Sequence, residues 1–143
     1  MPKVCAMREL LMAATALMIT LPALAEADDF SRAQAVKNWT GCVDQPGFDL
    51  YPVRLKATKM GFEVDYPGLC SGKHSLIGAM SSTRALEVIT QNTESCIATL
   101  PVSYTLDNRK LSLEYTYQGS PLAIAILRPG TKIATCAPSK AIS

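Results

Sequence analysis

Apolar and polar side chains alternate along most of this chain, and the alternation restricts the fold more than any other feature. Every second residue is apolar from 96 to 106 and again from 111 to 117. The same pattern runs through YPVRLKAT at 51–58 and FEVDY at 62–66. Because neighbouring side chains of a strand point to opposite faces, these runs predict antiparallel strands with one buried face.

Turn-forming residues separate the alternating runs at short intervals. Short strands joined in order by such turns predict an all-β, eight-stranded antiparallel up-and-down barrel, because closure removes the exposed sheet edges. A two-sheet sandwich is the alternative. A short helix is predicted at 28–37, where DDFSRAQAVK combines acidic capping residues with helix formers. The predicted turns are 45–49, 59–61, 67–73, 81–84, 92–95, 107–109 and 118–121.

Residues 1–25 have the three-part layout of a secretory signal peptide. A basic start precedes an apolar run at 10–25, and Ala23 and Ala25 supply the small residues of a cleavage site. This run is shorter than the roughly 20 residues that span a membrane, so we expect cleavage after Ala25 and no transmembrane anchor. The remainder, 26–143, is expected to be a single disulfide-stapled domain, periplasmic or secreted, in a bacterium.

The cysteines agree with export. Cys5 falls in the predicted signal peptide, and the other four predict two disulfides in a small exported chain. They form no Cys-x-x-Cys pair, so we expect no metal and no cofactor. In a meander Cys70 and Cys96 fall at the same rim, which favours a Cys70–Cys96 bridge. Cys42 then pairs with Cys136, if the C-terminal segment turns back along the barrel wall.

Segment 67–75 gathers residues that suggest chemistry, including the chain's one histidine, His74. Gly68 and Gly72 enclose three residues where a phosphate loop has four, and His74 stands where that motif needs Ser or Thr. A Cys70–His74 nucleophile would need a free thiol, which the predicted disulfide removes. Neither a phosphate loop nor a cysteine nucleophile is therefore expected.

Paired carboxylates are the remaining enzymatic option. Glu63 and Asp65 project from the same face of one predicted strand, and Glu87 and Glu114 lie on two others. Glycosidase-like chemistry needs one carboxyl group in an apolar pocket. We interpret these residues as parts of solvated strand faces and predict that the protein is not an enzyme.

Candidate binding residues lie on one predicted rim, which carries Phe48 and the 67–74 segment. Ser71, Lys73 and His74 are held near the predicted Cys70–Cys96 bridge. In this hypothesis Lys73 and His74 reach a carboxylate-lined cleft of another protein, and Phe48 adds apolar contact.

The opposite rim is predicted to be basic. Its turns carry Lys59, Arg84, Arg109 and Lys110 against a single acidic residue, Asp107. Polar turns that keep strand edges soluble explain this composition. A patch that docks an anionic partner surface is the functional alternative.

The string FEVDYPGLCSGKH at 62–74, followed downstream by Cys96, resembles a Val-x-Tyr-Pro-x-Leu-x-Cys-x-Gly type core found in small uncharacterised exported bacterial β-barrel domains. The resemblance implies a fold more than a function. In this chain Leu directly precedes Cys, with no residue between them. The matching residues are Val64, Tyr66, Pro67, Leu69, Cys70 and Gly72.

Two looser resemblances concern binding. Ser71-Gly72-Lys73-His74 is similar to the start of a Ser-Gly-x-x-Tyr loop that some periplasmic lysozyme inhibitors insert into the enzyme, although Ser75 replaces the tyrosine. That resemblance implies Ser71 and Lys73 as contacts. Asn38-Trp39-Thr40-Gly41 resembles the tryptophan element of calycin barrels, which implies that Trp39 closes one barrel end.

Together these features predict an exported, non-enzymatic binding domain that recognises another exported or envelope protein through its rim loops. Inhibition of a cell-wall hydrolase such as lysozyme is the activity that this hypothesis suggests. The alternatives are a small-ligand carrier that uses the barrel interior and a structural envelope component. The chain's 14 basic and 12 acidic residues nearly balance, so nucleic acid is not an expected partner.

Overall fold

Eight antiparallel strands close into a barrel in the computed structural model, which describes residues 28–77 and 83–137. The strands are β1 (Asn38–Asp44), β2 (Tyr51–Ala57), β3 (Gly61–Tyr66), β4 (Cys70–Leu76), β5 (Arg84–Gln91), β6 (Thr99–Asp107), β7 (Lys110–Tyr117) and β8 (Ser120–Pro129). They follow one another in sequence order, and β1 pairs with both β2 and β8. The up-and-down barrel is therefore confirmed, and the sandwich is wrong because the sheet closes on itself. The predicted signal peptide and residues 81–82 lie outside the described residues.

Inward-facing residues follow the alternation read from the sequence. In β7, Leu111, Leu113 and Tyr115 are buried, whereas Ser112 and Glu114 between them face outward. The core therefore lies inside the barrel. Its upper end is the one where β1 finishes, and its lower end is the one where β1 begins.

A helix, α1 (Asp29–Val36), lies at the lower end and confirms the predicted helix to within one residue at each end. The helix begins there because the Asp28 carboxylate accepts a hydrogen bond from the Ser31 amide at 2.6 Å. The backbone of Lys37 then joins the barrel, since its carbonyl accepts a hydrogen bond from the Ala57 amide at 2.7 Å.

Aromatic side chains seal this lower end from inside. Phe30 of α1 is buried, and its ring lies 5.4 Å from that of Phe62 and 4.8 Å from that of Tyr104, centroid to centroid. Trp39 is also buried, and its Nε1 donates to the Ala33 carbonyl at 2.8 Å. The helix and these rings leave the upper end as the route into the barrel.

Among the described residues, Gly41 and Gly72 are inward-facing positions that accept only glycine, because neighbouring backbones pass too close for a side chain. A Cβ atom on Gly41 would lie 1.9 Å from the Ile126 carbonyl oxygen, across the seam between β1 and β8. A Cβ atom on Gly72 would lie 2.1 Å from the Val88 carbonyl oxygen of β5. Gly72 also borders an irregularity in the pairing of β4 with β5.

Both predicted disulfides are present, Cys70–Cys96 and Cys42–Cys136. Cys96 does not open β6 as predicted; it follows a short 3-10 helix, Thr93–Ser95, and the strand begins at Thr99. The segment after β8 folds back along the outer wall, where the Thr40 hydroxyl donates to the Lys132 carbonyl at 2.7 Å. This return brings Cys136 to Cys42.

Candidate functional site

The three predicted binding residues of β4 do not share a rim surface. The strand begins at Cys70, so its alternation sends Ser71 and Lys73 to the outer wall and His74 into the barrel. His74 is 1% exposed, and the expectation that it reaches a partner is therefore wrong. On the outer wall Lys73 stands opposite Glu63 of β3, as expected for a polar strand face.

The other candidate residues lie at the two ends of the barrel. Phe48 is 65% exposed in the turn between β1 and β2, at the upper end. The four predicted basic residues lie at the lower end, in or beside three different connections: Lys59, Arg84, Arg109 and Lys110. Asp107 shares one depression with Arg109, Lys110 and Arg128, so a single carboxylate offsets only part of the basic charge there.

A buried carboxylate lies inside the barrel, at a position interpreted from sequence as solvated. Glu87 of β5 faces inward with Ala85 and Ile89 and is 3% exposed, so the solvated interpretation is wrong for this residue. For Glu63 and Asp65 it is confirmed, because both point outward from β3. The interpretation from sequence relied on the charge of Glu87 and not on its position between two inward-facing residues.

Glu87 belongs to a hydrogen-bonded network of side chains from five strands. Its Oε1 atom lies 2.7 Å from Nε2 of His74 and accepts a hydrogen bond of 2.5 Å from the Tyr66 hydroxyl. The Tyr66 oxygen lies 2.8 Å from that of Tyr115. Nδ1 of His74 lies 2.6 Å from the Tyr104 hydroxyl. The network therefore crosses the barrel interior from Tyr115 to Tyr104.

Donor and acceptor roles follow from this connectivity. Since the Tyr66 hydroxyl donates to Glu87, the hydrogen bond between the two phenols is donated by Tyr115. With Nε2 of His74 protonated and Nδ1 bare, His74 donates to Glu87 and accepts from Tyr104. This neutral tautomer, assigned from the partners, leaves every donor in the network satisfied.

The tyrosines of this region keep their protons. Burial raises the pKa of Tyr66, Tyr104 and Tyr115 well above the usual range, and the charge of Glu87 adds to the increase. Burial and then Glu87 raise the pKa of Tyr51 to about 12. All four phenols are therefore hydrogen-bond donors at neutral pH.

A cavity of about 710 Å³ occupies the upper part of the barrel, above the network. Tyr66, Glu87 and Tyr115 line its inner end, and Phe48 lies at its outer edge. Cys96 also lines the wall, so the Cys70–Cys96 bridge fixes one side of the opening. The other apolar residues of the lining are Leu50, Leu69, Ile97, Leu100, Leu122 and Ala123.

Comparisons with protein-family models, with curated proteins and with solved structures find no match for this chain. The resemblances to exported bacterial domains, lysozyme inhibitors and calycin barrels remain predictions. Within residues 28–77 and 83–137, no helix is long and apolar enough to cross a membrane. Across the same ranges, no group of three or more His, Cys, Asp or Glu side chains is arranged to hold a metal ion.

The buried carboxylate left one signal in the sequence. In RALEVITQ, Glu87 lies two residues from both Ala85 and Ile89 and so shares their face of the strand. If those two residues are assigned to the core, Glu87 is on the inner face as well. The cavity left no such signal. Residues of the loops after β1 and β5 form much of its wall, and the alternation within strands carries no information about where such loops lie.

Proposed function

We propose that this protein is an exported, non-enzymatic carrier that binds a small ligand in the upper part of its barrel. The observation that carries the proposal is the cavity of about 710 Å³ that ends at the buried Glu87 network. Its volume falls within the roughly 300–1,000 Å³ typical of small-molecule sites. Mostly apolar walls with a few convergent polar groups are the usual composition of such sites.

The division of the barrel into a filled half and an open half supports the same function. An eight-stranded barrel is just wide enough to be filled by side chains or to hold one small ligand. Here Phe30, Phe62 and Tyr104 fill the lower half with packed rings. The upper half keeps its space, and the polar groups at its inner end are held by mutual hydrogen bonds, so little ordering is needed when a ligand binds.

Recognition of a hydrolase through Ser71, Lys73 and His74 has less support, because these side chains do not form one surface. Catalysis by His74 is likewise disfavoured. Both of its ring nitrogens are hydrogen bonded, and its side chain is completely buried, so it has no free nitrogen with which to take a proton from a bound molecule.

The disulfides support the proposed location. Two bridges in a domain of this size are typical of proteins that fold in oxidising compartments. They fit a periplasmic or secreted carrier, consistent with the signal peptide predicted at 1–25.

Native mass spectrometry of the protein purified from its own host tests the proposal directly, since a carrier should retain a bound small molecule. A binding assay with the uncharged dye N-phenylnaphthylamine gives a second test. Ala123→Phe places a ring in the cavity and should abolish dye binding. Ile124→Phe places the same ring on the outer wall one residue away and should leave binding unchanged. Equal dye binding by both variants would contradict the proposal.

A further inference from the structure

We infer that the ligand is an amphiphilic organic cation, whose protonated amine binds Glu87 while its apolar part lies against the upper walls. This inference rests on the proposed carrier function and specifies the chemistry of the same cavity.

Both hydrogen bonds to this carboxylate reach one oxygen. His74 and Tyr66 both contact Oε1, and within the described residues Oε2 has no hydrogen-bond partner. The Glu87 side chain is only 4% exposed, yet it lines the cavity. A buried carboxylate oxygen without a hydrogen-bond partner costs free energy. A ligand in the cavity that donates a hydrogen bond to this oxygen would remove that cost.

The phenols that line the cavity already donate their protons within the protein. Tyr115 donates to Tyr66, Tyr66 donates to Glu87, and Tyr51 donates to Oε1 of Gln45 at 2.8 Å. Each of these hydroxyl groups can therefore offer only lone pairs to a molecule in the cavity. The inner end is a cluster of acceptors, which complements a group with several donors. An ammonium group has three N–H donors, whereas an alcohol has one.

The charges that surround the cavity have one sign. Besides Glu87, its described lining contains the exposed acids Asp49 and Glu94 and contains neither Lys nor Arg. In the part of the chain that the structure describes, the buried polar or charged residues are Glu87 and His74, and His74 is neutral in the assigned tautomer. A carboxylate without a buried cation attracts a cationic ligand and repels an anionic one.

The apolar walls of the cavity indicate that the rest of the ligand is apolar. Leu100 and Ala123 are buried within the lining, and Leu50, Leu69, Ile97 and Leu122 extend it toward the opening. Transfer of a hydrocarbon group from water to these walls is favourable by roughly 25 cal/mol per Å² of apolar area buried. A ligand with an amine at one end and a hydrocarbon body fits both halves of the site.

Three compounds with the same hydrocarbon chain test the head group: decylammonium, decanol and decanoate. Each is titrated against the complex of the wild-type protein with N-phenylnaphthylamine, and displacement of the dye reports its affinity. We expect decylammonium to bind about tenfold more tightly than decanol, as for a charge-assisted hydrogen bond, and decanoate to bind most weakly. Equal or tighter binding of decanol or decanoate, or a dye that none of the three displaces, would overturn the inference and leave the carrier function standing.

A matched pair of variants assigns the preference to one residue. Glu87→Gln keeps one oxygen for His74 and Tyr66 but turns an N–H₂ group toward the cavity, so the preference for decylammonium over decanol should disappear. Glu63→Gln removes the same charge from the outer wall and should keep the preference. A preference that survives in Glu87→Gln contradicts the inference. If the wild-type protein did not bind the dye and retained no small molecule in native mass spectrometry, the carrier function itself would fail. The wild-type comparison needs no variant, so it decides the inference even if Glu87→Gln does not fold.

Discussion

His74 donates its Nε2 proton to Oε1 of Glu87 at 2.7 Å, in a part of the barrel where both side chains are almost completely removed from solvent. The two residues are directly opposed in the register of β4 and β5. Such a pair is tolerated in a core only when its partners are all present. The hydroxyl groups of Tyr66 and Tyr104 complete it, so the barrel interior is organised around a polar pair.

Replacing the acceptor alone should therefore destabilise the protein. Glu87→Leu leaves the donors of His74 and Tyr66 buried without a partner, and we expect it to lower the free energy of unfolding by about 2–5 kcal/mol. Glu87→Gln keeps one acceptor oxygen and should cost less. Urea denaturation followed by circular dichroism measures both. Glu63→Leu, on the outer wall, is the control and should change stability by less than about 1 kcal/mol. A wild-type stability in Glu87→Leu would show that the network contributes nothing to folding.

The two disulfides should differ in what they stabilise. Cys42–Cys136 closes a separation of 94 residues and Cys70–Cys96 one of 26. In the chain-entropy view the longer loop contributes about 4.7 kcal/mol and the shorter about 3.5 kcal/mol. The double serine variant of Cys42 and Cys136 should therefore be less stable in urea than that of Cys70 and Cys96.

For dye binding the order of the two variants should be reversed, with the larger loss in the variant that lacks the Cys70–Cys96 bridge. Cys96 lines the cavity, whereas Cys42 and Cys136 lie on the outer wall. Loss of the Cys70–Cys96 bridge should weaken N-phenylnaphthylamine binding, and loss of Cys42–Cys136 should not. If both variants bound the dye equally well, the bridge would have no part in shaping the opening.

Alternation and turns predicted the strands because both are local properties of the chain. The bridge between Cys70 and Cys96 was also predictable, since topology alone places both cysteines at one end. His74 was misplaced because segment 67–73 was interpreted as a turn, whereas the turn ends at Leu69 and the strand begins at Cys70. The pairing of His74 with Glu87 depends on the register between two strands. Register is inferred from the pattern of apolar residues, and a polar residue on the inner face breaks that pattern.

Gly72 is expected to be intolerant of even the smallest side chain. Its added Cβ would lie 2.1 Å from the Val88 carbonyl oxygen, so β4 and β5 would have to separate close to the opposed pair His74 and Glu87. We expect Gly72→Ala to lower the free energy of unfolding by about 2 kcal/mol or more. Ser71→Ala, the neighbouring change on the outer wall, should have a small effect. Comparable stability of the two variants in urea would mean that the strands adjust without cost.

Alkaline pH should unfold the protein because the pKa values of four of its tyrosines are raised in the folded state. Their folded pKa values lie above the usual value of 10.0, with Tyr51 at about 12 and Tyr66, Tyr104 and Tyr115 raised well above the usual range. A raised folded pKa gives stability that is fully present below the unfolded pKa and is lost as the pH rises toward the folded value. The free energy of unfolding should therefore be insensitive to these groups below about pH 10. Above it, stability should fall by about 1.4 kcal/mol per pH unit for each tyrosine that is ionised only in the unfolded chain.

Circular dichroism and phenolic absorbance, recorded on the same alkaline titration, check this expectation. The absorbance of the buried phenols should appear together with the loss of the barrel signal, since ionisation requires unfolding. Tyr115→Phe removes one titrating group at the end of the network and should make the decline in stability less steep. Ionisation of all the tyrosines near pH 10 in a barrel that stays folded would contradict the burial of the network, because a phenolate cannot remain beside the Glu87 carboxylate without a large penalty.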